Sequence, residues 1–365
     1  MKTLRKLIYD EILVSVAFVT LCFLALFFFF DFIDELPNVG QNNNLYQLRH
    51  VFAFVLLSVP SHLYELLPIT VLIGTMFVMS RLAQSSEFTI LRTSGLTPIM
   101  ALRNLMGLGA AFVLLTFAVG DYLAPVCDRY AQLIKSHYLG TQIKVGQTGA
   151  WLRESQPEQK VFININRLSS EGAPQDIRIF EFNAQGEWVA LNKAADARIE
   201  QGAWVLGQAE RSEMSAQTKN QLVVTHDAQR RWPSEISNEM IAVAILKPGR
   251  MGTVDLFHYI KHLSTNGQST QRFEIEFWKK VFYPLSCLVM VVLALPFGYL
   301  HSRSGNIASH VFGGVLAGIS FFLLNNVFSY IGNINNWLPW FAAAAPGLLY
   351  TLASLAAFGW LVVRQ

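Results

Sequence analysis

Very little in this sequence is equipped to make or break a covalent bond. It holds no G-x-x-x-x-G-K-[ST] nucleotide loop, and no Ser/His/Asp or metal-ligand spacing that would organise a catalytic centre. His258 and His262 stand four apart, a spacing that can share a metal on one helical face, but no third ligand accompanies them. The chemistry on offer is non-covalent. Arg49, Arg129 and Lys135 border long apolar runs, where a basic side chain either snorkels to water or pairs with a lipid phosphate. Residues 80–98 form a polar interruption between two such runs, with Leu82, Phe88 and Leu91 apolar, Arg81, Glu87 and Arg92 charged, and Gly95 and Pro98 as a stop signal. The pattern fits a brief helix at a membrane surface that a partner can push, and equally an inter-helix loop with an amphipathic turn.

The elements that carry these residues follow from composition. Of 365 residues, 52% are apolar and 15% charged, which makes this a membrane protein. A net charge of +3 without a basic, aromatic-interleaved run argues against nucleic acid as a partner. The three cysteines form no disulfide or metal-binding framework. A spanning helix needs about 20 mostly apolar residues, and six segments qualify, at about 12–33, 64–80, 99–123, 273–300, 307–331 and 339–363. The apolar region 48–80 is too long for one straight span, so Pro60 is read as dividing an interfacial helix from the second span. The basic start at Met1 leads into a long run without a cleavage site, so it reads as a retained first helix.

Between the third and fourth spans the periodicity changes. A helical pattern persists over 128–137, after which apolar residues come in short alternating runs at 161–165, 177–182, 187–191, 203–206 and 221–225. Turn signals at Gln185-Gly186 and Gln201-Gly202 point to an antiparallel, all-β, jellyroll-like or sandwich domain, followed by a helix over 255–264. The expected organisation is three spans over 1–124, the β-domain with flanking helices over 125–272, and three spans over 273–365. Lys2, Arg5, Lys6, Arg81, Arg92, Arg103, Arg303 and Arg364 gather on one side, which makes both termini cytoplasmic and exports the β-domain.

Few charges lie deep in the spans, which speaks against an ion-coupled transporter. Gly314 and Gly318 give the fifth span a small-xxx-small face, and Asn325 an amide; both suit close helix packing or a seam that can part. Phe27, Phe321 and Phe322 either pack or line an apolar cavity.

The chain resembles the LptF/LptG family of lipopolysaccharide-export permeases along its whole length. The resemblance rests on Phe32-Ile33-Asp34-Glu35-Leu36 with Gly40-Gln41, Leu57-Ser58-Val59-Pro60, Leu67-Pro68, Leu82-Ala83-Gln84-Ser85-Ser86-Glu87 and Ser94-Gly95-Leu96-Thr97. Val119-Gly120-Asp121-Tyr122-Leu123-Ala124-Pro125, Tyr259-Ile260-Lys261 with Asn266-Gly267-Gln268, and Trp278-Lys279-Lys280-Val281-Phe282-Tyr283-Pro284-Leu285-Ser286 complete it. Their order and spacing carry it, rather than any single motif.

The resemblance implies a six-span, non-catalytic permease with a periplasmic jellyroll in a bacterial inner membrane. It implies an LptF-type permease partner, an LptB-type ATPase dimer, and LptC-type and LptA-type bridge proteins that receive lipopolysaccharide. It makes 80–98 a coupling helix, with Glu87 matching the acidic residue at the ATPase contact. No cofactor is implied. Lysines found at the outer end of the first span in the family are replaced here by Asp31, Pro37 and Asn38, while Lys135 keeps a basic residue on the third-span exit. A permease of another lipid or lipoprotein transporter would share the coupling helix but not the motif order. A membrane scaffold displaying the β-domain would need neither.

Overall fold

A computed structural model of the chain describes residues 2–40, 45–85, 95, 97–139, 150–155, 159–169, 173–200, 202–214, 221–234, 236, 241, 248–299 and 307–363. It divides into two compact units, one of Met1–Asp34, Val55–Asp128 and Gln271–Gln365, the other of Glu35–Phe54 and Arg129–Thr270.

The first unit is built from apolar helices, six of them long and apolar enough to cross a membrane among the described residues. Helix α1 is Lys2–Glu35, α2 is Leu48–Gln84 and α3 is Pro98–Ala118. The third span then widens into a π-helical turn, Val119–Leu123, before continuing as α4, Ala124–Leu139. The fourth span is segmented: α5 (Gln271–Phe282), a 3₁₀ turn at Tyr283–Leu285, α6 (Ser286–Ala294) and a second 3₁₀ turn at Leu295–Tyr299. Helices α7 (Ile307–Ile334) and α8 (Pro339–Val363) close the series. Ile12, Val71, Met79, Leu105, Val291 and Leu295 share one buried core.

Pro60 does not divide α2, which runs unbroken through both Pro60 and Pro68. A proline removes one backbone donor, but in a hydrocarbon solvent no water waits to satisfy the groups that a full break would expose. Continuing the helix therefore sacrifices less than ending it. At ~1.5 Å per residue α2 is about 55 Å long. The small residues on α7 approach it closely: a Cβ on Gly314 would lie 2.7 Å from Met76 Sδ, and one on Gly318 2.6 Å from Ile69 Cγ2. Helix α3 starts with Pro98 in its first turn and the Thr97 hydroxyl accepting the Met100 N–H at 3.3 Å, a standard N-cap.

In the second unit β1 (Ala150–Ser155), β2 (Gln159–Leu168), β3 (Pro174–Asn183), β4 (Trp188–Glu200), β5 (Ala203–Met214) and β6 (Leu222–Pro233) form one sheet. Every neighbouring pair is antiparallel and the strands follow one another in sequence order, so the all-β domain is a six-stranded meander. Opposed Ile163 and Ile179, and Ile165 and Ile177, are fully buried with Leu152, Trp204 and Leu206. The Trp204 indole donates to the Ile236 carbonyl at 2.9 Å, so the largest core side chain leaves no polar atom unserved. Helix α9, Thr253–Thr265, follows the sheet in sequence.

Candidate functional site

Glu35, the last residue of α1, organises one polar cluster of the second unit. Its carboxylate is 5% exposed and accepts three bonds: from Lys135 Nζ at 2.7 Å, from the Tyr46 hydroxyl at 3.0 Å and from Asn38 Nδ2 at 2.9 Å. The Lys135 amino group also stands 4.8 Å from the centroid of the Phe54 ring. Burial first, and then the Glu35 charge, push the Tyr46 hydroxyl well above the ordinary phenol range. His50 stacks on Tyr138 at 3.7 Å between ring centroids. Of the other two basic residues singled out from the sequence, Arg129 reaches Asp255 on α9 at 3.6 Å, and Arg49 is exposed. Lys135 is thus held by an internal carboxylate, whereas Arg49 faces outward.

At the opposite end of α2, Arg81 is ion-paired with Glu11 of α1 at 2.6 Å. Gly95 is exposed with φ of +100°, a conformation in which a side chain would be strained and which suits the stop expected there. Glu87 and Arg92 lie outside the described residues. Phe27 is half-buried, its ring 5.0 Å from that of His62, whose Nε2 lies 2.6 Å from Asp31 Oδ2. Phe321 is buried between Tyr283 and Tyr350, ring centroids 6.2 and 5.0 Å away. Buried Asn325 donates to the Phe321 carbonyl at 3.0 Å, and Phe322 is half-buried. Phe321 and Asn325 therefore serve helix packing here, while Phe27 and Phe322 keep exposed surface.

Two inward-facing charged groups, one buried and one partly buried, were not anticipated from the sequence. Lys280, in the fourth span, is 6% exposed and donates from Nζ to the Gly120 carbonyl at 2.9 Å. In the sheet, Arg211 donates to Glu181 Oε1 at 2.6 Å and to Glu213 Oε2 at 2.7 Å, and Asn192 donates to the same Glu181 oxygen. A signal for the first was available: two adjacent lysines, Lys279 and Lys280, at the start of the fourth apolar run, close after Glu274 and Glu276.

These helices, with a sheet inserted in the sequence between the third and fourth spans, define a multi-pass membrane protein. The family described as lipopolysaccharide export system permease LptF/LptG matches residues 6–360. The chain belongs to that family and is a permease subunit of lipopolysaccharide export. It is similar to the lipopolysaccharide export system permease protein LptG of Escherichia coli strain K12, 27% identical over 337 residues that cover 92% of this chain and 90% of that protein. It is also 24% identical to LptG of Haemophilus influenzae over 366 residues, covering 100% of this chain and 99% of that one.

Proposed function

We propose that the chain is the LptG-type half of a two-permease exporter, driven by an LptB-type ATPase dimer and paired with an LptF-type permease. In this reading both termini are cytoplasmic, the sheet is periplasmic, and lipopolysaccharide leaves toward LptC-type and LptA-type bridge proteins. Hydrolysis belongs to the partner; this subunit turns its push into motion. The observation that carries the reading is the anchoring of the connector between the second and third spans. Arg81 pairs with Glu11 just before it, and the Thr97 cap starts the third span just after it. In this reading a force delivered at Glu87 or Arg92 reaches the second and third spans through these two anchored ends.

The same reading gives Arg49, Arg129 and Lys135 the headgroup phosphates. Arg49 is available as it stands, and Lys135 engages only by exchanging Glu35 for a lipid phosphate. Phe27 and Phe322 supply the apolar wall beside the acyl chains. The test is Glu87→Ala in the native membrane, with co-purified proteins identified by mass spectrometry and export followed alongside. Loss of ATPase recovery or of export is expected; unchanged assembly with unchanged export overturns the coupling role. Reversing Arg129 and Lys135 to Glu is expected to reduce lipid photocrosslinking several-fold, and an unchanged yield removes the headgroup assignment.

A further inference from the structure

Lys280 stands outside the residues assigned above to coupling and headgroup binding, yet a lysine buried in a membrane span is costly to keep and calls for a reason. The reason begins with Pro125, which has no N–H to give. In a regular α-helix its missing donor would orphan the carbonyl four residues back, that of Asp121. Here the turn Val119–Leu123 is π-helical, and the Ala124 N–H bonds to the Val119 carbonyl, five residues back. The wide turn moves the missing partner by one residue. Gly120, whose π-type donor would be Pro125 itself, now has the unserved carbonyl, and Lys280 Nζ supplies the bond at 2.9 Å. The site is built around that contact. A Cβ on residue 120 would run into the Tyr64 ring, and the Lys280 amino group lies 5.6 Å from the centroid of the same ring. Tyr64 in turn packs on Tyr283, in the 3₁₀ turn that interrupts the fourth span. Beyond the wide turn, Asp128 accepts a bond from the Ser61 hydroxyl of α2 at 2.8 Å.

We propose that Lys280 is a latch that holds the third span in its π-wound register, and that the span has a second, α-wound register, one residue away, which opens when the latch lets go. Either winding leaves one carbonyl without a backbone donor because of Pro125. The choice between them therefore falls to the side chain that serves that carbonyl. Leaving the π-wound state turns the rest of the span by about 100° and moves it ~1.5 Å along its axis. Cys127 would then take the place that Asp128 holds opposite Ser61. A permease gains from this a way to re-present the outer end of one span without breaking the helix.

The experiment is cross-linking with a short bifunctional thiol reagent in the full chain in its native membrane, with Cys22 and Cys287 replaced by Ser. One variant pairs Ser61→Cys with the native Cys127; the other pairs it with Asp128→Cys after Cys127→Ala. With Lys280 present, the 61–128 link is expected to dominate. In Lys280→Met the ratio is expected to move toward 61–127 on the order of tenfold, the scale of one buried hydrogen bond, and Lys280→Arg is expected to restore it. Deleting Tyr122 removes the extra residue of the wide turn and leaves no second register. In that background Lys280→Met is expected to leave the ratio where it was, which loss of a purely structural lysine would not distinguish. Should Lys280→Met fail to accumulate, Lys280→Leu, which also lacks a donor, is read the same way. An unchanged ratio in the replaced protein, or an equal shift with and without Tyr122, overturns the proposal.

Discussion

Two inward-facing cationic side chains, the buried Lys280 of the spans and the partly buried Arg211 of the sheet, are handled in opposite ways. In the sheet, every strand has a neighbour to satisfy its backbone, so Arg211 is free to meet charge with charge: Glu181 and Glu213 hold it, and Asn192 completes the Glu181 shell. Burial alone would lower the Arg211 guanidinium, but the hydrogen bonds from Glu213 and Glu181 more than offset it and raise it above its usual range. In the spans, Lys280 is directed at a backbone carbonyl that a proline has left without a donor. The contrast between these two cations is that Arg211 is held by other side chains, whereas Lys280 is aimed at the main chain.

That contrast can be broken most sharply in the sheet. Glu181→Ala leaves the partly buried Arg211 with Glu213 as its carboxylate partner, with an expected loss of about 3 kcal/mol in the stability of the sheet unit. Limited proteolysis of the full chain reports it. Replacing both, Glu181→Leu with Arg211→Met, is expected to recover most of the loss, because no unpaired charge remains. A single replacement no worse than the double one would show that the network is not a paired charge at all.

The second effect is one of pH. Burial raises the Tyr259 hydroxyl on α9 to about 12. The folded value lies above the unfolded one, so the neutral phenol's contribution is fully present below pH ~10 and is lost as pH rises toward about 12, roughly 2–3 kcal/mol in all. Protection factors over α9, corrected for base-catalysed intrinsic exchange, are expected to fall through that window, and Tyr259→Phe to remove the fall. If the phenylalanine variant keeps it, the titrating group lies elsewhere.

In the spans, Gly120→Ala forces its new methyl against the Tyr64 ring, an overpacking expected to cost about 1–3 kcal/mol. Thermal unfolding in detergent measures this, and Tyr64→Leu should relieve it. The smallest effect is expected at Lys193, whose exposed pair with Glu210 spans 3.5 Å: Lys193→Ala should change stability by no more than ~0.5 kcal/mol. A larger loss there would mean that exposed pairs in this sheet matter as the buried network does.

How much of this was legible depends on what each signal measures. Apolar length marks the six spans because solvent transfer acts on a whole segment and tolerates local exceptions. It failed at Pro60 for the same reason, since the surrounding segment outweighs one lost hydrogen bond. The strands were visible where β-branched residues alternate, as at Val161 to Ile165, and invisible where they do not. The second half of β4, with Ala194, Ala195, Asp196 and Ala197, has little strand preference of its own and is held by its neighbours, Ala194 by Ile177 of β3 and Asp196 and Ala197 by Gly207 and Leu206 of β5. Strand β1 is short, and its Leu152 finds a buried place only once β2 lies beside it. At the site, Arg81 and Lys135 were recognisable as charges at segment ends, but their partners Glu11 and Glu35 come from another helix and cannot be read from local spacing. Lys280 was hidden more deeply, because its partner is a carbonyl, a group that every residue carries and that only Pro125 makes distinctive.

The sequential order of the strands also fixes when each part of the molecule can be finished. Each strand pairs only with its neighbours in the chain, so the sheet's hydrogen-bonded ladder can form as it is synthesised, one hairpin at a time, with every strand pairing short in sequence. The helical unit has the opposite timetable: Thr116 waits for Cys287, Gly120 for Lys280, and the Glu65 carbonyl for the Tyr283 hydroxyl. Biogenesis is therefore vectorial in the middle of the chain and deferred at its ends, and the first three spans must persist in the bilayer as an incomplete half until the last three arrive.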